Sequence, residues 1–283
     1  MFLKRMRGCA PRAPEPGRRG GCIVIKLGGG LITGWVDGAP VLERERVLAL
    51  TAEIGSLGRP VVVVHGTGAF GKPPAIEYSY LGGRLEDSDA WIVSLVTSAL
   101  EVLEAEIMKC VRESKLSAFR VPAVALARSV DGDVRVRGAV LVRALMAHNL
   151  VPVIGGGFVL DSPHGFAVCS SDDIAAQLAV LLDAECLVFA TGTKGVHRAH
   201  GETEEIYDEL RPQEGVAGIA RVETDVSGGM YGKIKAGFTA AARGVPTFIV
   251  DGRLPGNLTA AVAKQPRSGT RLIAVPNVEA GRL

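Results

Sequence analysis

Apolar residues occur along this chain in short continuous runs, separated by longer stretches in which they recur at helical spacing. The runs cover residues 22–27, 60–64, 151–154, 186–190 and 246–250. Apolar runs of this length, broken in the first run only by Lys26, are typical of parallel strands that are buried on both faces. We therefore predict five core strands, with 246–250 as the final one.

Helical spacing of apolar positions predicts helices over residues 41–57, 88–115, 138–148, 170–183 and 227–243. Residues 157–168 predict two short strands joined at the turn Ser162-Pro163-His164-Gly165, and residues 199–223 are polar and irregular. The alternation of buried strands and helices predicts an α/β fold, a three-layer αβα sandwich with a mostly parallel open sheet.

Composition narrows the class of protein. Of the 283 residues, 47% are hydrophobic and 22% are charged, which is typical of a soluble globular enzyme. The net charge of +2 favours no nucleic-acid partner. No apolar run reaches the length of about 18 residues that a membrane helix requires. The five cysteines are odd in number and form no CxxC pair, which predicts buried free thiols and a cytoplasmic protein.

Domain organisation follows from the same patterns. Residues 1–21 are rich in Arg, Pro and Gly, and we predict that they form a disordered leader. Residues 22–283 are predicted to form a single domain with an N-terminal lobe over about 22–168 and a C-terminal lobe over about 169–283.

Glycine-rich turns follow four of the predicted strands. They are Gly28-Gly29-Gly30, then His65-Gly66-Thr67-Gly68 continuing to Lys72, then Gly155-Gly156-Gly157, and finally Thr191-Gly192-Thr193-Lys194-Gly195. Ligands of open parallel sheets bind beyond the carboxyl ends of the strands. Glycine has no side chain to shield its backbone N–H group, so the N–H groups of these turns are well suited to bind phosphate oxygens there. The second turn matches neither the Walker spacing nor the dinucleotide fingerprint.

Three lysines accompany these turns. Lys26 lies inside an apolar strand, which is costly unless its ammonium group meets an anion. Lys233 lies near a helix N-terminus, where it opposes the helix dipole unless it reaches a phosphate there. Lys72 ends the second turn. For Lys72 and Lys233, the alternative to binding phosphate is a solvated position on the protein surface. Together, the lysines and turns predict a site for several phosphate groups at one edge of the sheet.

The two acidic residues Asp172 and Asp173 begin the helix after Ser170 and Ser171. A helix N-terminus favours serine caps and acidic first-turn residues, and this explains both carboxylates without a catalytic role. A role in the site is the open alternative.

Taken in order, six motifs resemble the amino acid kinase superfamily, and within it the isopentenyl phosphate kinases and fosfomycin kinases. They are KLGGG at 26–30, PVVVVHGTGAFGK at 60–72, PVIGGG at 152–157, SSDDIA at 170–175, FATGTKGV at 189–196 and DVSGGMYGKI at 225–234. The resemblance covers about residues 22–251.

The resemblance implies roles for individual residues. Lys26 and Lys233 would hold the transferring phosphoryl group, and Asp225 would orient these lysines. Lys72 would contact the acceptor. Gly28 and Gly29 would donate N–H groups to the phosphates. The ATP-binding set would be Gly28, Gly29, Thr191, Lys194, Gly195, Gly229, Met230 and Lys233. The acceptor-binding set would be His65, Gly66, Thr67, Gly68, Lys72, Gly155, Gly156 and Gly157. ATP and Mg²⁺ would be the cofactors, and a homodimer the expected assembly.

The chain departs from the pattern of these relatives at several positions. Lys72 stands where they have a His that contacts the acceptor, and Trp35 where they often have a Lys. Gly192 and Lys194 replace two acids, and Gly157 replaces an Asp. The resemblance predicts an ATP-dependent kinase for a small phosphate or phosphonate. A non-catalytic nucleotide- or oxyanion-binding protein and a carboxylate kinase remain as alternatives.

Overall fold

A computed structural model of the protein describes residues 21–71, 77, 84–85, 90–198, 205–212 and 229–274. Apart from Gly21, the leader predicted over residues 1–21 lies outside the described residues. The division into two lobes stays a prediction.

The strands within these residues are β1 (Ile23–Leu27), β2 (Thr33–Val36), β3 (Ala39–Leu42), β4 (Val61–His65), β5 (Arg84–Leu85), β6 (Ala118–Val121), β7 (Ala127–Val130), β8 (Asp133–Val136), β9 (Val151–Gly155), β10 (Gly157–Ser162), β11 (Gly165–Cys169), β12 (Cys186–Thr191), β13 (Glu209–Leu210), β14 (Thr247–Asp251) and β15 (Gly269–Leu272). The helices are α1 (Gly29–Ile32), α2 (Arg44–Ser56), α3 (Ala90–Glu113), α4 (Ala123–Leu126), α5 (Ala139–Ala147), α6 (Ser171–Leu181), α7 (Gly229–Ala241) and α8 (Asn257–Val262), with a 3₁₀ turn at Gly68–Phe70.

The large sheet of the described residues has eight strands in the order β13-β15-β14-β12-β1-β4-β9-β6. Strand β1 lies in its middle and pairs in parallel with β12 on one side and β4 on the other. The predicted mostly parallel sheet is confirmed. The glycine turns that follow β1, β4, β9 and β12 consequently lie at one edge of the sheet.

Helices cover both faces of this sheet, because successive residues of a strand point to opposite sides. Val24 of β1 packs in one hydrophobic cluster with Ile174 of α6 and Ile234 of α7. Its neighbours Ile23 and Ile25 pack in a second cluster, with residues of α2, α3 and α8. The predicted αβα layering is confirmed, and Lys26, two residues after Val24, faces the layer of α6 and α7.

A smaller sheet in the order β5-β11-β10-β7-β8 adjoins the large one. The hairpin predicted over residues 157–168 is confirmed, since β10 and β11 pair antiparallel, with Gly157 opposite Cys169. Hairpin β2–β3 forms a separate two-stranded sheet, and β3 takes the first residues of the helix predicted over 41–57.

The expectation that residues 246–250 form the final strand is wrong, because β15 follows and pairs antiparallel with β14. Only alternate residues of β15 are buried, with Thr270 and Leu272 inside and Arg271 exposed. A strand of this kind lacks the continuous apolar run by which the core strands are identified. No helix in the described part of the chain is long and apolar enough to span a membrane.

Candidate active site

A cavity of about 430 Å³ lies where the glycine turns after β1, β4, β9 and β12 meet the starts of α6 and α7. The described residues that line it are Lys26, Gly28, Gly29, Gly30, Leu31, Gly66, Thr67, Gly68, Gly71, Val96, Leu100, Gly156, Gly157, Phe158, Val168, Cys169, Ser170, Ser171, Asp172, Thr191, Gly192, Thr193, Gly229, Met230 and Lys233.

Three buried charges meet at the wall of the cavity. Asp172 Oδ1 lies 2.8 Å from Lys26 Nζ and 2.9 Å from Lys233 Nζ. The second carboxylate oxygen, Oδ2, accepts a hydrogen bond from Lys233 Nζ at 3.2 Å. Lys26, Asp172 and Lys233 are 4%, 2% and 7% exposed. Two cations share one carboxylate, so this cluster carries an excess positive charge beside the cavity.

Burial and mutual charge set the protonation of this cluster. Burial, together with the positive charge of Lys233, lowers the pKa of Lys26 to about 8, against the opposing effect of Asp172. For Asp172, burial acts to raise the pKa, but the charges of Lys233 and Lys26 outweigh it and hold the pKa below its usual value. At neutral pH the carboxylate is ionised and Lys26 is protonated, so Lys26 is available to an anionic ligand.

The turns after β1 and β4 pack backbone against backbone. A Cβ atom on Gly29 would lie 2.4 Å from Gly68 N, and a Cβ on Gly66 would lie 2.6 Å from Gly29 N. Gly68 also has a φ of +48°, a conformation that favours glycine. These positions require glycine because side chains would drive the two turns apart.

The N–H groups of the first turn have different partners. The N–H of Gly28 donates to the Ala190 carbonyl at 2.8 Å. This N–H is therefore already paired within the protein, and its expected bond to phosphate stays a prediction, although Gly28 lines the cavity. The N–H groups of Gly29 and Gly30 have no acceptor among the described residues. They are the donors of this turn that a phosphate could use.

His65 lies behind the cavity wall and is 1% exposed. Its Nδ1 is 3.2 Å from the Gly66 carbonyl oxygen, and a Cβ on Gly155 would lie 3.1 Å from its Nε2. Burial lowers the pKa of His65 to about 4, despite the hydrogen bond to Gly66 and aided by the positive charges of Lys26 and Arg120. His65 is therefore a neutral side chain that packs under the turns, and neither it nor Gly155 is among the lining residues.

Part of the cavity lining is apolar, and we call it the apolar end. It is formed by Val96 and Leu100 of α3 and by Phe158 and Val168 of the β10–β11 hairpin. No charged side chain among the described lining residues lies on these elements. This end suits a hydrocarbon group rather than an ammonium or carboxylate group.

The turn after β12 forms a further wall. The hydroxyl of Thr191 donates to the Val250 carbonyl at 3.1 Å and so connects this turn to β14. Gly192, Thr193, Gly229 and Met230 line the cavity nearby, whereas Lys194 and Gly195 do not. Lys194 is exposed, and its carbonyl accepts a hydrogen bond from Ser268.

The structure brings most of the predicted site residues to one cavity. Lys72 and Asp225 lie outside the described residues. The sequence analysis gave Asp172 too little weight as a site residue. Ser170 Oγ caps the helix by accepting from the Asp172 N–H at 3.2 Å, while the Asp172 carboxylate binds the lysines. The signal in the sequence that could have identified Asp172 was the presence of a second acidic residue at this serine-capped helix start. Trp35, which replaces a lysine of the relatives, lies on β2 and is 54% exposed.

Comparison with known proteins places these features in context. The family profile described as "Amino acid kinase family" matches residues 21–251. An isopentenyl phosphate kinase from Methanothermobacter thermautotrophicus is 28% identical over 264 residues, which cover 88% of this chain and 98% of that protein. An acetylglutamate kinase from Deinococcus radiodurans is 28% identical over 269 residues, covering 89% of this chain and all of that protein. A solved isopentenyl phosphate kinase structure superposes with a TM-score of 0.75 at 25% identity, covering 89% of this chain and 99% of that one.

Proposed function

Because this chain belongs to the amino acid kinase family, we propose that it transfers the γ-phosphoryl group of ATP to a phosphate or phosphonate group on a small molecule with an apolar body. Relatives of this chain include isopentenyl phosphate kinases, which supports a phosphate-accepting kinase. The observation that carries the proposal is the meeting of Lys26 and Lys233 on Asp172 beside open glycine N–H groups.

The chemistry of phosphoryl transfer fits this arrangement. The transition state spreads negative charge over the equatorial oxygens, and catalysis consists mainly of positioning and charge stabilisation. Lys26 and Lys233 would supply the positive charge, and Asp172 would hold both ammonium groups in place before the reactants bind. The N–H groups of Gly29 and Gly30 would bind phosphate oxygens at the same point.

The acceptor needs little activation if it is a phosphate monoester. Its second pKa is about 6, so its attacking oxygen is already ionised at neutral pH and no general base is required. A covalent enzyme intermediate is also unnecessary. Cys169 is the described thiol in the cavity wall, and burial raises its pKa to about 12, which keeps it protonated and unreactive.

Mg²⁺ would arrive with ATP, bound to its phosphate oxygens. The described residues contain no group of acidic, His or Cys side chains that could hold a metal ion. Asp172 is occupied by the two lysines, so the protein does not offer a carboxylate cage there. The remaining ligands of the ion would be phosphate oxygens and water, as is usual for Mg²⁺.

The apolar end of the cavity favours a phosphate with a hydrocarbon body over an amino acid. A carboxylate kinase for a charged amino acid requires partners for an ammonium or a second carboxylate group. Val96, Leu100, Phe158 and Val168 offer none. Isopentenyl phosphate is the first acceptor to test, and phosphonates are the second.

The experiment is an acceptor screen with ATP labelled at the γ-phosphate. The panel contains isopentenyl phosphate, a phosphate monoester without an apolar body, a phosphonate, glutamate and acetylglutamate. Transfer to isopentenyl phosphate or the phosphonate is the expected result. Transfer only to a carboxylate would instead support the alternative that the acetylglutamate kinase relative suggests.

A non-catalytic nucleotide-binding protein is the remaining alternative. The exposed Trp35 and the Gly192 and Lys194 replacements are the observations in its favour. Calorimetry that shows tight ATP binding, combined with no transfer to any member of the panel, would establish it. Assembly as a homodimer stays a prediction, which light scattering on the purified protein tests.

A further inference from the structure

The turns after β1 and β4 are joined by one buried hydroxyl that does not itself line the cavity. Thr33 begins β2, directly after α1, and is 7% exposed. Its Oγ1 donates to the Gly29 carbonyl at 2.8 Å and accepts from the Ala69 N–H at 2.9 Å. A single side chain thus connects the lysine-bearing first turn to the second turn.

The hydroxyl satisfies the Ala69 N–H, which has no other acceptor among the described residues, and adds a second bond to the Gly29 carbonyl. The Ala69 N–H lies in the 3₁₀ turn Gly68–Phe70, near its start, where N–H groups have no acceptor within the turn. The Gly29 carbonyl accepts from both the Thr33 N–H and the Thr33 hydroxyl. Because the peptide unit is planar and trans, fixing this carbonyl also fixes the Gly30 N–H, which points the opposite way.

The packing leaves no space for a side chain at position 68. A Cβ atom on Gly68 would lie 2.0 Å from Thr33 Oγ1 and 2.6 Å from the Gly29 carbonyl oxygen. The hydroxyl therefore sits at the point of closest approach of the two turns. Gly29, Gly30 and Gly68 line the cavity on either side of this point.

We propose that Thr33 is a positioning residue for phosphoryl transfer, which holds the phosphate-binding N–H groups of the first turn in register with the acceptor turn. This inference rests on the proposed function. An in-line reaction depends steeply on the distance and angle between its two reactants, and a displacement of about 1 Å can cost 100-fold in rate. Each turn binds its own ligand, so losing the connection reduces kcat more than it weakens either binding step.

The test compares Thr33→Val, Thr33→Ser and Thr51→Val in the full chain. Valine keeps the shape of threonine but removes both hydrogen bonds, whereas serine keeps the hydroxyl. Thr51 is the matched control, a fully buried threonine in α2 whose hydroxyl donates to the Val47 carbonyl at 2.8 Å and contacts Ser114 Oγ. Thr51 does not line the cavity.

We expect Thr33→Val to lower kcat about 10- to 100-fold while the KM values for ATP and acceptor change less than about threefold. Thr33→Ser should keep kcat within about threefold of the wild type, because it retains both bonds. Thr51→Val should lower the melting temperature as much as Thr33→Val does and leave kcat unchanged.

Three results would overturn the inference in a wild-type protein that transfers phosphate. They are a Thr33→Val variant with unchanged kcat, a Thr33→Ser variant as impaired as the valine variant, and a Thr33→Val effect confined to KM. A wild type that transfers phosphate to no acceptor refutes the proposed function itself, and the inference about Thr33 falls with it.

Discussion

The two ends of the cavity are built in different ways. At the polar end, Lys26, Asp172 and Lys233 come from β1, α6 and α7, and each buried charge depends on the others. At the apolar end, Val96, Leu100, Phe158 and Val168 contribute shape and hydrophobic surface without mutual dependence. A change at the polar end should therefore stop the reaction, and a change at the apolar end should alter which acceptor is used.

The largest effect is expected from Asp172→Asn. Removing one partner of a buried ionic cluster leaves two lysines close together without compensation, which costs about 3–5 kcal/mol. The free energy of unfolding, measured by urea titration, should fall by that amount, and kcat should fall with it.

Asp161→Asn is the control for Asp172→Asn. Asp161 is a buried carboxylate in β10 that accepts from the Gly132 N–H and the His164 N–H, outside the cavity. This variant should lose stability and keep its kcat. A folded Asp172→Asn variant with wild-type kcat would refute the dependence of the polar end on this carboxylate.

Lys233→Ala should lower kcat about 10²- to 10³-fold, the usual cost of removing one group that stabilises transition-state charge. Asp172 keeps Lys26 as a partner, so this variant should remain folded. Lys235→Ala, an exposed lysine two residues further along α7, is the control and should be indistinguishable from the wild type in steady-state kinetics. Equal kinetics for the two variants would remove Lys233 from the mechanism.

The pH dependence should show the titration of Lys26, whose pKa is lowered to about 8. A lysine is charged below its pKa, so kcat/KM for ATP should be constant more than about one pH unit below that pKa and fall about tenfold per pH unit well above it. Bound phosphate favours the charged form, so the fall in kcat should occur at higher pH than the fall in kcat/KM. A kcat/KM that stays constant to pH 9.5 would contradict the assignment.

The smallest effect is expected from Leu100→Ala at the apolar end. It should raise the KM for an acceptor with a hydrocarbon body about tenfold, because part of the apolar contact is lost. The KM for ATP should not change. Leu103→Ala, on the same helix but fully buried in the core outside the cavity, should reduce stability without altering the KM for the acceptor. A parallel rise in both KM values for Leu100→Ala would remove the distinction between the two ends.

The core of the fold could be predicted because its strands carry their signal locally. The runs around β1, β4, β9, β12 and β14 are apolar on both faces, so each reads as a strand without knowledge of its neighbours. Strands β2, β3, β7, β8 and β15 are short, and buried and exposed residues alternate or are mixed along them. Their identity depends on pairing with a partner strand, which the local pattern does not reveal.

The site was predictable to a similar degree. Glycine turns after parallel strands meet at one sheet edge by topology, so Gly29, Gly66 and Thr191 could be placed together in advance. The use of each N–H group could not, as Gly28 shows by donating to Ala190. Hydrogen-bond partners depend on distances of tenths of an ångström between segments that are remote in the chain.

The sequence by itself determined the order of the core strands and of the long helices, the parallel sheet, and the edge of the sheet at which the glycine turns lie. Only the tertiary structure decided the partner of the lysines. Locally, Asp172 is explained equally well by a helix N-terminus, and no short-range property separates that role from an ion pair. The choice is made because α6 and α7 pack on the face of β1 that carries Lys26, which buries both ammonium groups against one carboxylate. A buried charge requires a partner, and only the packed chain brings that partner within reach.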